Sequence, residues 1–322
     1  MNAILVIAEF ANGKLATASL EQLALARKLA PVGSVVALLL GAVPAEADLL
    51  IARGADKVIL GTPDAFDGYN SDAWITCAAT VACEHAATLV LAAHTPRGTD
   101  LAPRLAFRLN AGCATGCVNV EQQNGALHFT RASHGGNVRE TLRFKTAIAV
   151  ATVRAGAYDS LPADTNRQGE IVTLNTAPPS RIRVIERQRE DSGAQRLEDA
   201  RVIVAGGRGL NGPEGFNVLQ PLAQTLGGVV GASRVPCELG WCSHAMQIGL
   251  TGKTVTPELY IAVGISGASH HLAGCGNAKT IVAINTDADA AIFRDAKFGV
   301  VGDYATVVPA LTAAIKALPR IS

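Results

Sequence analysis

Short apolar runs punctuate the first ~110 residues: AILVIAE, SVVALLL, KVIL and TLVLAA. Between them, SLEQLALARKLA, EADLLIARG and the region from Trp74 to His85 read as helices. Continuously apolar runs separated by helical segments predict buried parallel strands with helices on both faces of the sheet. From about Gly116 the texture changes to alternation broken by Asn124-Gly125 and Gly135-Gly136. Those pairs sit at hairpin spacing, so antiparallel or edge strands are expected to finish the sheet.

Residues ~155–200 carry Pro178-Pro179 and then dense charge without helical apolar spacing. This stretch reads as a solvated connector between domains that can move against each other. The strand–helix alternation then restarts. ARVIVAGG opens into a glycine turn, and PEGFNVLQPLAQTL is a helix with Pro213 suited to its first turn. VVGASR, LYIAVGISG, KTIVAINTD and KFGVVGD are strands with their loops, and DYATVVPALTAAIKAL closes the chain as a helix that Asp303 can cap. The expected fold is α/β with two doubly wound domains: 1–190, an N-terminal α/β domain plus polar connector, and 191–322, an open parallel sheet.

Composition narrows the partners. The chain has 322 residues, is 49% hydrophobic and 17% charged, and carries a net charge of +1. Without a basic block, neither nucleic acid nor an acidic membrane surface is an expected partner. The start, MNAILVIAEF, reads as a strand rather than an export leader, and no apolar run approaches the ~20 residues of a spanning helix. A cytoplasmic protein without membrane insertion is expected. Seven cysteines in such a chain predict reduced thiols rather than a disulfide framework. Cys113-x3-Cys117 and Cys237-x4-Cys242 match no metal hook.

The chemistry concentrates in loops that follow the second-half strands. Gly206-Gly207-Arg208-Gly209, Gly231-Ala232-Ser233-Arg234, Gly264-Ile265-Ser266-Gly267-Ala268, Asn285-Thr286-Asp287 and Gly302-Asp303 all fall at strand ends. In open α/β sheets that is where ligands bind. Glycine loops before helices expose N–H groups suited to phosphate, and Arg208 and Arg234 add charged donors. Several such loops together point to a large phosphorylated ligand such as a dinucleotide. Two motifs fail. GGRGLNG puts Arg208 in the tight turn of a dinucleotide fingerprint, and Val229 and Val230 stand where its acidic residue belongs. GLTGKT lacks the first P-loop glycine, its place being taken by Gln247. No serine or cysteine nucleophile has a recognisable elbow around it, so no enzyme of that kind is expected.

VIVAGGRGL, GASR, TGKTVTPELYIAVGISGA, HLAG and KTIVAINTD, in that order, resemble the α subunit of electron-transfer flavoproteins. AAHTPRGTDLAPRLA, FTRASHGGN and TVRAGAYD extend the resemblance into the first half. It implies the FAD-bearing half of an αβ heterodimer, a flavin electron carrier with no substrate reaction of its own. Such a carrier accepts electrons from acyl-CoA or other primary dehydrogenases and passes them to a quinone oxidoreductase. The β subunit would hold a structural AMP. Carried over by motif, Arg208 would meet the FAD phosphates, Ser233 would touch FAD, and Arg234 would lie over the isoalloxazine. Ile248, Gly249, Leu250 and Thr251 would line the flavin, with Thr251 near N5. Ser266, Gly267, Ala268, Ser269, His270 and His271 would wrap the cofactor, with His271 near the flavin O2 edge. Asn285, Asp303 and Tyr304 would meet the adenosine end.

Three positions depart from the family pattern: Leu250 for the usual Gln, Glu238 for Asp, and His270 for Gln before the flavin histidine. The resemblance also admits an α subunit of a bifurcating flavoprotein, or a non-redox nucleotide-binding relative. A cation ~4 Å from a reduced flavin is worth about 4 kcal/mol at an effective dielectric near 20. That is at most roughly 0.2 V on a one-electron couple. Arg234 and a positively charged His271 are the groups expected to supply it, with His270 turned to solvent or the domain seam.

Overall fold

The computed structural model describes residues 3–11, 13–134, 138–186 and 196–318. The chain folds as two compact units, the first within Met1–Arg189 and the second made chiefly of Glu190–Ser322.

The first unit runs β1 (Ile4–Ala8), the paired β2 (Phe10–Ala11) and β3 (Lys14–Leu15), α1 (Thr17–Leu29), β4 (Val35–Leu40), α2 (Pro44–Ala52) and β5 (Lys57–Gly61). It continues with α3 (Ser71–Glu84), β6 (Leu89–Ala93), α4 (Pro96–Arg108), β7 (Gly112–Gln123), β8 (Ala126–Ser133), β9 (Val138–Leu142), β10 (Ala149–Val153) and β11 (Glu170–Leu174). Nine strands form one sheet in the order β11-β5-β4-β1-β6-β10-β7-β8-β9. Strands β11 through β7 pair in parallel, and β7-β8-β9 pair antiparallel. Strands β1, β4, β6 and β10 are buried along their whole lengths because apolar clusters cover both faces. This is why they read as unbroken apolar runs. Asn124 and Gly125 both take positive φ in the turn between β7 and β8, as the primed hairpin turns require. The second expected turn, Gly135-Gly136, lies outside the described residues.

The connector reading of residues ~155–200 needs correction. Residues 170–174 are β11, an edge strand in parallel register with β5, tied by Lys57 Nζ to Glu170 at 3.0 Å. Arg167 Nη2 meets Asp56 Oδ1 at 2.5 Å, and Arg53 donates to the Leu161 carbonyl. The strand, EIVTL, is a short edge strand with one side open to water, and the dense charge that suggested a connector begins only after Pro178-Pro179. Residues 187–195 lie outside the description.

Glu21 of α1 is buried and accepts the Gly156 N–H at 2.8 Å. Burial pushes its carboxyl up to about 7, against that hydrogen bond. The folded state therefore holds a proton that the unfolded chain releases near pH 4.5, and stability is lost as pH rises through 7. Glu21→Gln is expected to stabilise the protein at pH 8 by on the order of 2 kcal/mol, discounted from ~1.4 kcal/mol per pKa unit, and to change little at pH 4. Urea unfolding at both pH values checks this; equal effects at the two would contradict the burial argument.

The second unit comprises β12 (Val202–Gly206), α5 (Glu214–Thr225), β13 (Val229–Ala232), α6 (Arg234–Glu238), β14 (Leu259–Val263), α7 (Ser269–Cys275), β15 (Thr280–Asn285), β16 (Phe298–Val301) and α8 (Tyr304–Ala317). Its five strands are all parallel, in the order β13-β12-β14-β15-β16. The cores on the two faces include Ile203, Tyr260 and Ile281 on one and Val204, Leu219 and Ile261 on the other. Asp303 caps α8 by accepting the Ala305 N–H at 3.0 Å. Among the described residues no helix is long and apolar enough to cross a membrane.

Candidate functional site

The winding direction of the second sheet reverses between β12 and β14, which are neighbours. A crevice opens at such a reversal, outside the carboxyl ends of the strands. Here its walls are two loops in direct contact. Gly207 N–H donates to Val263 O at 2.8 Å, and Gly209 N–H donates to Gly264 O at 3.0 Å. A Cβ on Gly207 would lie 2.2 Å from Gly264 O. Gly207 has φ −108°, which any residue adopts, so packing alone demands glycine there.

The loop after β14 supplies donors. Among the described residues, the N–H groups of Ser266, Gly267 and Ala268 have no acceptor within the chain. The Arg208 side chain, exposed at the mouth of the β12 loop, has no partner among the described residues either. Free N–H groups and a guanidinium on neighbouring loops fit an anionic phosphate. These residues therefore suit the phosphate portion of a dinucleotide such as FAD.

Ser233 is anchored by its N–H to Gly206 O at 2.9 Å, and its side chain does not cap α6. Arg234 pairs with Glu238 one helical turn on, Nε to Oε1 at 2.6 Å, with both side chains well exposed. Exposed pairs of this kind contribute well under ~1 kcal/mol, so a ligand can draw Arg234 away at little cost. Glu238, noted in the sequence only as a departure, is thus the group that holds Arg234.

A turn at 247–253 adjoins the crevice. Ile248 N–H donates to Ala232 O at 2.8 Å, Leu250 N–H to His270 O at 2.7 Å, and Gly252 N–H to Gly249 O at 3.1 Å. Gly249 is buried and α7 packs onto it closely enough that a Cβ on Gly274 would lie 2.3 Å from Gly249 N. Ile248 belongs to the core, so its side chain is not presented to the crevice. Leu250 and Thr251 are exposed. Gln247 Nε2 donates to Thr251 Oγ1 at 3.1 Å, orienting that hydroxyl. Sequence reasoning treated Gln247 only as a missing P-loop glycine.

The two histidines differ in exposure: His270 is exposed and His271 is buried. The expected positive charge on His271 is not what the structure gives. Tyr260 Oη lies 2.9 Å from His271 Nε2, and Ile248 O lies 3.1 Å from Nδ1. The carbonyl can only accept, so Nδ1 carries a hydrogen and Nε2 accepts from the tyrosine. Burial pushes the ring down to about 4, so it is neutral at pH 7. Tyr260 escaped the sequence reading; its signal was one phenol inside an aliphatic strand, which needs a buried partner.

The remaining residues make ties inside the crevice wall. Asn285 Nδ2 donates to Ile265 O at 2.9 Å, and its Oδ1 accepts the Asp287 N–H at 3.1 Å. Tyr304 Oη donates to Leu210 O at 2.9 Å, joining α8 to the β12 loop. Asp303 is the α8 cap.

The sheet order and the glycine crevice of the second unit are those of the open α/β nucleotide-binding folds. Family models make the assignment narrower: residues 4–179 match the electron transfer flavoprotein domain, and residues 196–276 match the electron transfer flavoprotein FAD-binding domain. The chain is 39% identical over 317 residues to the electron transfer flavoprotein subunit alpha of Bacillus subtilis, covering 98% of each. It is 40% identical over 323 residues to the subunit of that name from Thermoanaerobacterium thermosaccharolyticum, again covering 98% of each. To the protein FixB of Clostridium saccharobutylicum it is 38% identical, over 97% of this chain and 95% of that one. The chain belongs to the electron transfer flavoprotein α subunit family.

Proposed function

We propose that the chain binds one FAD in its second unit and serves as the flavin-bearing half of an αβ heterodimer. In this reading it accepts electrons from acyl-CoA or other primary dehydrogenases and delivers them to a quinone-reducing acceptor, while the β subunit holds an AMP. The observation that carries the reading is the set of free donors on the two touching loops of the switch-point crevice: the N–H groups of Ser266, Gly267 and Ala268, and the Arg208 guanidinium. They would hold the phosphates. When bound, the flavin supplies the electron chemistry, and the chain supplies position and field.

Ser233 and Arg234 would face the isoalloxazine, with Glu238 releasing the guanidinium as the ligand takes it. Thr251 would present a hydroxyl already oriented by Gln247. Gly249 and Leu250 would contribute backbone at the same edge, and Ser269 and His270 would close the loop around the cofactor. His271 would contribute as a neutral ring, so positive charge beside the flavin falls to Arg234. Asn285, Asp303 and Tyr304 would shape the adenosine end through the backbone segments they tie.

Co-expression with a β subunit is expected to give a yellow complex that releases one FAD per α chain on acid denaturation. Release of NAD or FMN in its place would sink the assignment. A colourless complex would favour a non-redox relative, and two flavins per heterodimer a bifurcating one.

A further inference from the structure

The segment VPCELGWC brings two cysteines together beside Arg234. Helix α6 spans five residues, with Pro236 and Cys237 buried. It ends in two backbone hydrogen bonds, Gly240 N–H to Cys237 O at 3.1 Å and Trp241 N–H to Pro236 O at 2.9 Å. Gly240 takes φ +73°. This is a Schellman reversal, which turns the chain back over the end of the helix. Cys242 is thereby delivered to Cys237, with the two sulfurs 3.5 Å apart. Cys237 also reaches Ser243 O at 3.6 Å. Both thiols are free; Cys237 is buried and Cys242 is partly exposed. A disulfide needs the sulfurs at about 2.05 Å. Closure therefore asks for a small rotation of side chains on a turn, not for transport of a segment.

We propose that Cys237 and Cys242 form a dithiol–disulfide site whose oxidant is a low-molecular-weight disulfide, and that its closure clamps α6. Cys242, the accessible thiol, gives its proton to solvent base and attacks one sulfur of RS–SR. The Cys242–SR bond forms, the S–S bond of the oxidant breaks, and RS⁻ leaves. Cys237, deprotonated in turn, attacks the Cys242 sulfur. The Cys237–Cys242 bond forms, the Cys242–SR bond breaks, and a second RS⁻ leaves. The two thiols lose two electrons and two protons, and the oxidant becomes two RSH. Burial, followed by contact with Cys237, pushes the Cys242 thiol up to about 12, and burial raises Cys237 as well. Few thiolates exist at neutral pH, so closure is slow there and quickens as pH rises.

The clamp acts on a weakly held element. Ser233 gives α6 no side-chain cap, and the helix is too short to be stable alone. A covalent tie from its last turn to the next loop limits its fraying. Resting on the flavin reading above, where Ser233 and Arg234 face the cofactor, the oxidised form releases FAD more slowly.

Trypsin leaves both cysteines, and no third, in one peptide, Val235–Lys253. The purified heterodimer would be incubated with oxidised glutathione at about pH 8.5, alkylated and digested. The expected peptide carries no alkyl group and is two hydrogens lighter than the dithiol form, and dithiothreitol reverses this. In Cys237→Ser, Cys242 is expected to retain glutathione as a mixed disulfide; in Cys242→Ser, Cys237 is expected to stay unmodified. A wild-type peptide that remains doubly alkylated, or stops at the glutathione adduct, would overturn the site. FAD release is then compared between oxidised and re-reduced wild type. Several-fold slower release in the oxidised form supports the clamp, and equal rates overturn it. A complex without FAD refutes the flavin reading, while the peptide result still decides the disulfide by itself.

Discussion

Gly207→Ala is expected to yield a second unit that no longer retains flavin and is less stable by about 2–4 kcal/mol. A methyl group at this position would sit 2.2 Å from the Gly264 carbonyl oxygen. That atom is backbone, in a loop residue tied by its N–H to Ile284 O at 2.9 Å, and it cannot swing aside as a side chain would. The two loops must separate. Overpacking costs ~1–3 kcal/mol, and losing the Gly207 N–H bond to Val263 O costs about 1 kcal/mol more. Separation also splays the crevice. Gly212→Ala, in the same loop, is the matched control. Its added methyl meets only the tip of the Glu214 carboxylate, at 3.0 Å, so the change should stay within about 0.5 kcal/mol. Urea unfolding and flavin content of both variants check the pair. Wild-type behaviour in Gly207→Ala would mean that the loops do not touch as described.

Loss of the His271 imidazole is the second large effect. His271→Leu leaves the Tyr260 hydroxyl and the Ile248 carbonyl without their buried partner. It is expected to cost about 2–5 kcal/mol at pH 7. The gap should narrow in acid. The wild-type ring has its folded pKa depressed from 6.5 to about 4, so below pH 6.5 the unfolded chain binds a proton that the folded state refuses. Stability present above pH 6.5 is lost as pH falls toward 4. By pH 5 the wild type should have lost about 2 kcal/mol on this account, at ~1.4 kcal/mol per unit. The leucine variant loses none of it. His94, also held down to about 4 by burial, drops out of the comparison because both proteins carry it. A difference between the two proteins that stays constant from pH 7 to 5 would mean that His271 is solvated.

Much of the fold was legible because buried parallel strands leave unbroken apolar runs such as ILVIA and VVALLL, which are too short to be buried helices and alternate with helical segments. The Asn124-Gly125 hairpin was legible because two successive positive φ angles admit few residue pairs. The Asp303 cap was legible because it bonds within its own turn. Strand β11 was not, since an edge strand is recognised by the partner it pairs with rather than by its own composition.

The candidate site divides in the same way. The order of residues along the chain determined that glycine loops end the strands, that arginines stand in two of them, and that the motifs resemble one family. These are local properties, set by backbone sterics and by a single residue's chemistry. Only the tertiary structure decided which glycines face one another, that Arg234 is held by Glu238, that Cys242 reaches Cys237, and that Gln247 orients Thr251. It also decided the charge of His271. A histidine in the sequence is a group with a pKa near 6.5; enclosure between Tyr260 and Ile248 makes it neutral, and that enclosure joins residues from two strand–loop segments and one helix that meet only when the sheet closes.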